Sequence, residues 1–391
     1  MSLLSEDVYI IGAGETKFGE LWERSLRELA VEAGLKAVEN AGVYSKDIQV
    51  LYGSNSLAGT INAQNDIGSL IADFSGIASN HIPAIRIEAS SASGAAAVRE
   101  AYLAIKSGEY DCVMVGAVEK MTDLYGPEML DHVSTLLDRE WEAFFGATPA
   151  AMAALTARKY MHDFNVEKEN IMAIPISDHR NASMNPDAHF RNKLTMETAM
   201  GATMISEPLN MMDCAPMSDG AAALVIASGS FMKRNRLNGV RILSSGISQD
   251  FLALHSRNSI YTMDSTVLAA RQAMEKAGLK HKDMSFLEIH DSYSIYGITA
   301  IEDLGFAKKG KAAEVIQSGI DINSALPINP SGGLKAKGYP IGAAGVSQFV
   351  EAVLQLTEKA GQRQIKDARY GMMHSIAGTG STSLVHIVGG E

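Results

Sequence analysis

"AVENAGVYSKDIQVL" (Ala37–Leu51) and "AMEKAGLKHKDMSFL" (Ala273–Leu287) align without a gap, and this pair of stretches decides the fold. Ala, Glu, Ala, Gly, Lys, Asp and Leu recur at matching places. Each copy reads as the end of an amphipathic helix, a glycine suited to a left-handed cap, a short polar turn and a strand. Solenoids repeat every 20–50 residues or so. Copies separated by more than half the chain describe a duplicated domain instead.

Outward from the repeat, short apolar runs alternate with helical stretches, the pattern of an α/β protein. "VYIIGAG" (Val8–Gly14) reads as a strand, and "SLRELAVEAGLKAVENAG" (Ser25–Gly42) as a helix capped at Gly42. "IQVLYGS" (Ile48–Ser54) is the next strand, and "YDCVMVGAVE" (Tyr110–Glu119) a near-continuous apolar run expected of a strand covered on both faces. Between about Thr122 and Met212 the strand-like runs thin out and polar turns such as "NASMNPDAHFRNK" appear. An insertion of this kind often covers a site presented by a rigid scaffold. It holds the densest basic cluster, Arg180, Arg191 and Lys193 beside His179 and His189. That cluster is either a solvated loop face or a phosphate contact.

With 391 residues the chain can bury a substantial core. A hydrophobic fraction of 46% and a charged fraction of 20% are those of a globular protein. The formal net charge of −11 argues against nucleic acid or an anionic membrane as main partner, but leaves room for a phosphorylated ligand. Two cysteines, Cys112 and Cys214, supply neither a disulfide framework nor a zinc spacing, so no metal is expected and a reducing, cytoplasmic setting is. The opening "MSLLSEDVYIIGAG" lacks the basic region of a secretory leader, and no apolar segment is long enough to span a membrane.

Glycine-rich stretches supply the candidate chemistry. "GAGETKFG" (Gly12–Gly19) fails the dinucleotide-binding spacing, because Lys17 holds the third glycine's place, and reads as a turn with close backbone packing. "GGLKAKG" is no Walker loop, and "ASSAS" is no hydrolase elbow. Four loops of small and polar residues remain: "EASSASG" (Glu88–Gly94), "HDSYS" (His290–Ser294), "NPSGGLKAKGYPIGAAG" (Asn329–Gly345) and "HSIAGTGSTSLVHIV" (His374–Val388). Each stands at an end of the repeated scaffold, where free backbone N–H groups can face a developing negative charge. Together they read as one site.

These loops carry a resemblance. The chain resembles the thiolase superfamily, and most closely archaeal acetoacetyl-CoA thiolases and sterol-carrier-protein-type thiolases, over nearly its whole length. "GAGETKFGE", "VGAVEKMTD" and "MDCAPMSDGAAALVIAS" match that subgroup in order. The resemblance implies a five-layered α-β-α-β-α fold from two repeated halves plus an inserted loop domain that binds CoA. The expected boundaries are 1–121 and 213–250 for the first half, 122–212 for the insertion and 251–391 for the second half. It also implies a homodimer or homotetramer. A small zinc-ribbon/OB-fold protein and a hydroxymethylglutaryl-CoA synthase are the further partners it suggests.

The departures are as informative. Where the family's turn carries the nucleophilic cysteine, "EASSASG" has Ser91; where its G-H-P loop carries the activating histidine, "GYP" has Tyr339; and the last loop reads "SIAG", with Ser375 and Ala377 in place of the usual residues. His290 keeps the place of a histidine near the acyl carbonyl. A thiol ionises near pKa ~8.5 and a neighbouring imidazolium lowers it further, whereas a serine hydroxyl needs a positioned base. A phenol with pKa ~10 donates at neutral pH and does not serve as that base. Ser91 and Tyr339 thus remove nucleophile and activator together. What survives is binding: backbone N–H groups at Ser91 and Ala377 as an oxyanion hole, and Ser331 and Gly332 of "NPSGG", with Arg180, Arg191 and Lys193, as candidates to hold CoA. The expected function is CoA-thioester binding with thiolase activity weak or absent. The alternatives are a binding or scaffold subunit of an acyl-CoA-metabolising complex, an acyltransferase with Ser91 as acyl acceptor assisted by His290 or Tyr339, or a thioesterase using Ser91 with His290 or His374.

Overall fold

The computed structural model describes residues 6–390, so Met1–Ser5 of the stretch read above as lacking a leader lie outside the described residues. The two copies of the repeat fold alike. Helix Leu26–Ala41 ends on Gly42 at φ 67°, and helix Asp264–Ala277 ends on Gly278, also at φ 67°. In the turns that follow, the Asp47 carboxylate accepts the Tyr44 N–H at 2.9 Å and the Asp283 carboxylate accepts the Lys280 N–H at 2.8 Å. The shared Gly and Asp of the aligned stretches are therefore the cap and the turn lock.

Eleven strands are present among the described residues: β1 Val8–Glu15, β2 Val50–Ser54, β3 Ala84–Ile87, β4 Cys112–Glu119, β5 Met204–Ser206, β6 Leu209–Asn210, β7 Gly220–Ser228, β8 Val240–Gln249, β9 Phe286–Glu288, β10 Tyr370–Ile376 and β11 Thr382–Gly389. Nine of them run in the order β3-β2-β4-β7-β1-β8-β11-β10-β9, and β5 and β6 form a separate small hairpin. The order is a palindrome in structure. β1–β7–β4 are antiparallel and β4–β2–β3 parallel; β8–β11–β10 are antiparallel, β10–β9 parallel, and Leu287 of β9 makes a parallel bridge to Ile328. The halves join where β1 and β8 pair antiparallel over Tyr9–Ile10 and Val240–Arg241.

Helices Ser93–Lys106 and Ile341–Leu356 fill the space between the halves, through Val98 and Ala101 on one and Val346 and Phe349 on the other, against Val115 and Leu224 of the first half's strands and Ile242 and Met373 of the second half's. The first repeat helix covers the outer face of the first half through Leu29, Ala33 and Ala37, and the second repeat helix covers the other through Ala269 and Ala273. The result is the α-β-α-β-α layering. Between the layers "GAG" shows the close backbone packing expected of it, but within a strand and not a turn. Gly12 and Gly14 lie inside β1, and a Cβ on Gly14 would meet the Ala33 carbonyl at 2.6 Å. A Cβ on Gly246 of β8 would meet the Ala269 carbonyl at 2.1 Å, the same contact in the other half.

Residues 122–212 hold helices Gly126–Ser134, Pro149–Phe164, Lys168–Ala182 and Met196–Met200 and the β5–β6 hairpin. Asp219 ties both ends of this segment together. Its buried carboxylate accepts from the Lys120 ammonium, the Met121 and Thr122 N–H groups, the Thr122 hydroxyl and the Leu21 N–H. No helix among the described residues is long and apolar enough to cross a membrane.

Candidate active site

Ser91 stands between the end of β3 and helix Ser93–Lys106. Ser90 reaches this turn with φ 54°, a conformation unusual for a residue with a side chain and one that recurs at functional turns. The Ser93 hydroxyl holds the bend, accepting the Ala89 N–H at 2.9 Å and donating to the Ser90 carbonyl at 2.5 Å. Ser91 itself is buried. Its hydroxyl donates to the Ile376 carbonyl at 2.7 Å and accepts the Gly378 N–H at 2.9 Å. Among the described residues no histidine hydrogen-bonds to it.

Tyr339 arrives on a strained loop. A π-helical turn, Gly333–Lys337, is flanked by Gly332 at φ 107° and Gly338 at φ 120°, and such turns often mark functional sites. The Asp291 carboxylate holds it through the Leu334 N–H at 2.8 Å, and the Ser218 hydroxyl accepts the Tyr339 N–H at 3.0 Å. The Tyr339 hydroxyl then lies 3.3 Å from His290 Nε2, with the two rings edge to face. It is also within hydrogen-bonding reach of Ser91 and Ser292. Burial pushes the phenol up from its ordinary value, so it stays protonated. Burial, with His374 adding to it, pushes His290 down to about 3. The pair is thus a neutral phenol donating to a neutral imidazole. Behind it the backbone N–H of His290 faces His374 Nδ1 at 3.5 Å, and His374 Nε2 lies 3.1 Å from the Thr266 hydroxyl.

Ser91 and Tyr339 face a chamber of about 30 Å³, lined also by Ser292, Tyr293, Tyr296 and Leu136, with room for about one water. The 133–137 segment of the insertion roofs it so closely that a Cβ on Gly378 would lie 2.6 Å from the Leu136 carbonyl. A cluster of Leu137, Met152 and Leu254 forms the next wall. Outside it opens a cavity of about 620 Å³, apolar through Trp141, Phe145 and Leu155, with Arg158, Lys159 and His255 on its lining.

The structure gathers Ser91, Tyr339 and His290 and sets other expected residues apart. The Ser375 hydroxyl donates to Gln348 Oε1 at 3.0 Å under the central helix and does not line the chamber. The Ala377 N–H is not free for an oxyanion: it donates to the Thr382 carbonyl at 2.8 Å, and the neighbouring Gly378 N–H turns to Ser91. Ser331 directs both its N–H and its hydroxyl to the Glu288 carboxylate, and Gly332 packs against Ala182, so both serve the loop's shape. Arg180 pairs with Asp321 at 3.0 Å, and neither it nor Arg191 nor Lys193 lines the chamber or the outer cavity. The basic groups beside the apolar cavity are Arg158 and Lys159 instead. Burial pushes the thiols of Cys112 and Cys214 up to about 12, which leaves both as inert thiols. Sequence reasoning missed Tyr293 and Tyr296. The signal was there in "SYSIY", two tyrosines one helical turn apart beside His290.

Comparison with known proteins agrees with this fold. Residues 8–230 match the model described as "Thiolase, N-terminal domain", and residues 246–390 the one described as "Thiolase C-terminal domain-like". An acetyl-CoA acetyltransferase of Methanothermobacter thermautotrophicus is 43% identical, over 97% of this chain and 99% of its own length. Sterol carrier protein 2 of Gallus gallus is 30% identical over 96% of this chain and 70% of its own. Among solved structures, the Ltp2-ChsH2(DUF35) aldolase superposes with a TM-score of 0.84 at 25% identity, covering 98% of each chain. Human mitochondrial 3-ketoacyl-CoA thiolase in complex with CoA superposes with a TM-score of 0.77 at 18% identity over 99% of each chain, a likeness of fold. A match that runs through both halves of the duplicated scaffold, with relatives aligned end to end, settles the matter: the chain belongs to the thiolase family.

Proposed function

We propose that the protein binds CoA thioesters with the thioester at Ser91 and does not run the thiolase reaction at an ordinary rate. The observation that carries this is the Ser91 hydroxyl fastened between the Ile376 carbonyl and the Gly378 N–H, with a protonated phenol beside it. The Ser91 hydroxyl is bonded to no imidazole: His290 stands behind the protonated phenol and burial pushes it down to about 3, and loss of one member of a nucleophile–base unit costs several orders of magnitude in rate. The Gly378 N–H becomes a donor to a thioester oxygen once that oxygen displaces the Ser91 hydroxyl from it. The outer cavity suits a pantetheine arm, with Arg158 and Lys159 near its phosphates. Cleavage of acetoacetyl-CoA by free CoA, with Ser91→Ala as control, tests the reading. The expected result is no turnover above the control; brisk turnover that the control abolishes overturns it.

The likeness to an aldolase favours a second reading, in which the site breaks a carbon–carbon bond without a covalent intermediate. In a 3-hydroxyacyl thioester the C3 hydroxyl would give its proton to neutral His290, directly or through the Tyr339 phenol. The C2–C3 bond then breaks, C3 becomes a carbonyl, and the electron pair forms a thioester enolate held at the Gly378 N–H. Protonation at C2 completes the balance. Nothing in this sequence requires a thiol. Release of a carbonyl product from a 3-hydroxyacyl-CoA, lost in Tyr339→Phe, supports it; release unchanged in that variant removes it. A DUF35-type partner and a homodimer or homotetramer complete the proposal, with β3 at the sheet's end, exposing Ile85, as the edge available to a second copy.

A further inference from the structure

The chamber holds one polar group that no interaction explains. Tyr296, on helix Ser294–Asp303, is 2% exposed, and its hydroxyl has no hydrogen-bond partner. Buried hydroxyls are nearly always satisfied, so each exception calls for a reason. The neighbouring hydroxyls are engaged, Ser91 with Ile376 and Gly378, and Tyr339 with His290. The charged groups closest to Tyr296 are committed elsewhere. The Arg257 guanidinium donates to the Phe251, Leu252 and Thr379 carbonyls, and the Glu142 carboxylate accepts the Asp138 and Leu254 N–H groups.

The surroundings say what kind of group would meet this hydroxyl. None of the chamber's lining residues is charged, so the group is a neutral oxygen and not a carboxylate or an ammonium. The Tyr296 hydroxyl has both its proton and its lone pairs unused. Another hydroxyl answers both needs, whereas a keto oxygen answers one. Ser91 and Tyr339 stand where the thioester is placed, and Tyr296 lies one helical turn past Ser292 and Tyr293, stacked edge-on against the latter at 5.6 Å. It therefore meets the acyl group beyond its carbonyl.

We propose that Tyr296 is a specificity-determining residue whose hydroxyl binds a hydroxyl on C3 of the acyl group, which makes 3-hydroxyacyl-CoA the preferred ligand class over saturated acyl-CoA. This rests on the CoA-thioester reading above. A site built around an unpaired polar group discriminates strongly against a ligand that leaves it unpaired.

Calorimetric titration of the full chain with 3-hydroxybutanoyl-CoA, butanoyl-CoA and free CoA tests the assignment, in the wild type and in Tyr296→Phe. The expected result is about tenfold tighter binding of the hydroxylated thioester by the wild type, as one buried hydrogen bond provides. In Tyr296→Phe that preference disappears while butanoyl-CoA binds as before. Equal affinities in the wild type overturn the assignment and leave the CoA-thioester reading standing, and this arm needs no variant to fold. A preference that survives in Tyr296→Phe overturns it as well. If neither thioester nor free CoA binds, the CoA-thioester reading falls and takes the assignment with it.

Discussion

Ser91 and Tyr339 make their point by chemistry that can be reversed. A cysteine at 91 would ionise some units below a serine, and a histidine at 339 would supply the base that a phenol withholds. Either change alone leaves the pair broken: a thiol beside a protonated phenol, or a base beside a hydroxyl held by Ile376 and Gly378. We expect Ser91→Cys combined with Tyr339→His to raise acetoacetyl-CoA thiolysis at least ~100-fold over either single variant, because members of such a unit act together. A double variant no faster than the singles would mean that the pocket itself has been rebuilt around the new residues. Tyr296 belongs to the same scale, a hydroxyl whose missing partner is visible only once its neighbours are in place.

At the scale of elements, the two repeat helices sit on their strands through paired glycines. Gly14 of β1 lies under Ala33 and Ala37, and Gly246 of β8 under Ala269 and Ala273, which are the corresponding residues of the aligned halves. Nothing larger than a hydrogen fits without moving the helix. Gly14→Ala and Gly246→Ala should each destabilise the protein by about 2 kcal/mol, the usual cost of overpacking a close contact, read as a lower denaturant midpoint. Equal costs in the two variants would show that the duplication is mechanical as well as topological. This element was half legible: the strand and the close backbone packing of its glycines were read, but not the helix packed on them, because spacing does not show which helix lies across a strand.

The whole molecule depends on how the insertion is fastened to the sheet. Asp219, which follows the 122–212 segment in the chain, gathers five hydrogen bonds from Leu21 and from Lys120–Thr122 at the segment's start. Burial by itself pushes its pKa up, yet the bonds from Thr122, Lys120 and the backbone outweigh burial and hold the carboxyl below its ordinary value. A carboxyl with a lowered folded pKa contributes stability above its ordinary value of 3.8, and that contribution is lost as pH falls through the lowered one. Asp219→Asn breaks a buried pair with Lys120 and should cost about 3 kcal/mol. Limited proteolysis should then cut within 122–212 before the rest of the chain. Cleavage at the wild-type rate would mean that the loop domain is held by its hydrophobic contacts alone.

The sequence by itself determined the duplicated α/β scaffold, the caps of both repeat helices and the four loops that end at the site, because these rest on local propensity and on periodicity along the chain. It also placed a hydroxyl and a phenol, Ser91 and Tyr339, where the resemblance implies a thiol and an imidazole, which is a matter of residue identity. Only the tertiary structure decided which groups meet. It turned the Gly378 N–H toward Ser91 and spent the Ala377 N–H on Thr382. It carried Arg180, Arg191 and Lys193 away from the chamber, set Arg158 beside the outer cavity, and left the Tyr296 hydroxyl unpaired inside. The physical reason is that hydrogen-bond direction, burial and charge proximity are properties of pairs of residues. When the members of a pair lie hundreds of positions apart, neither one's sequence neighbourhood contains the information.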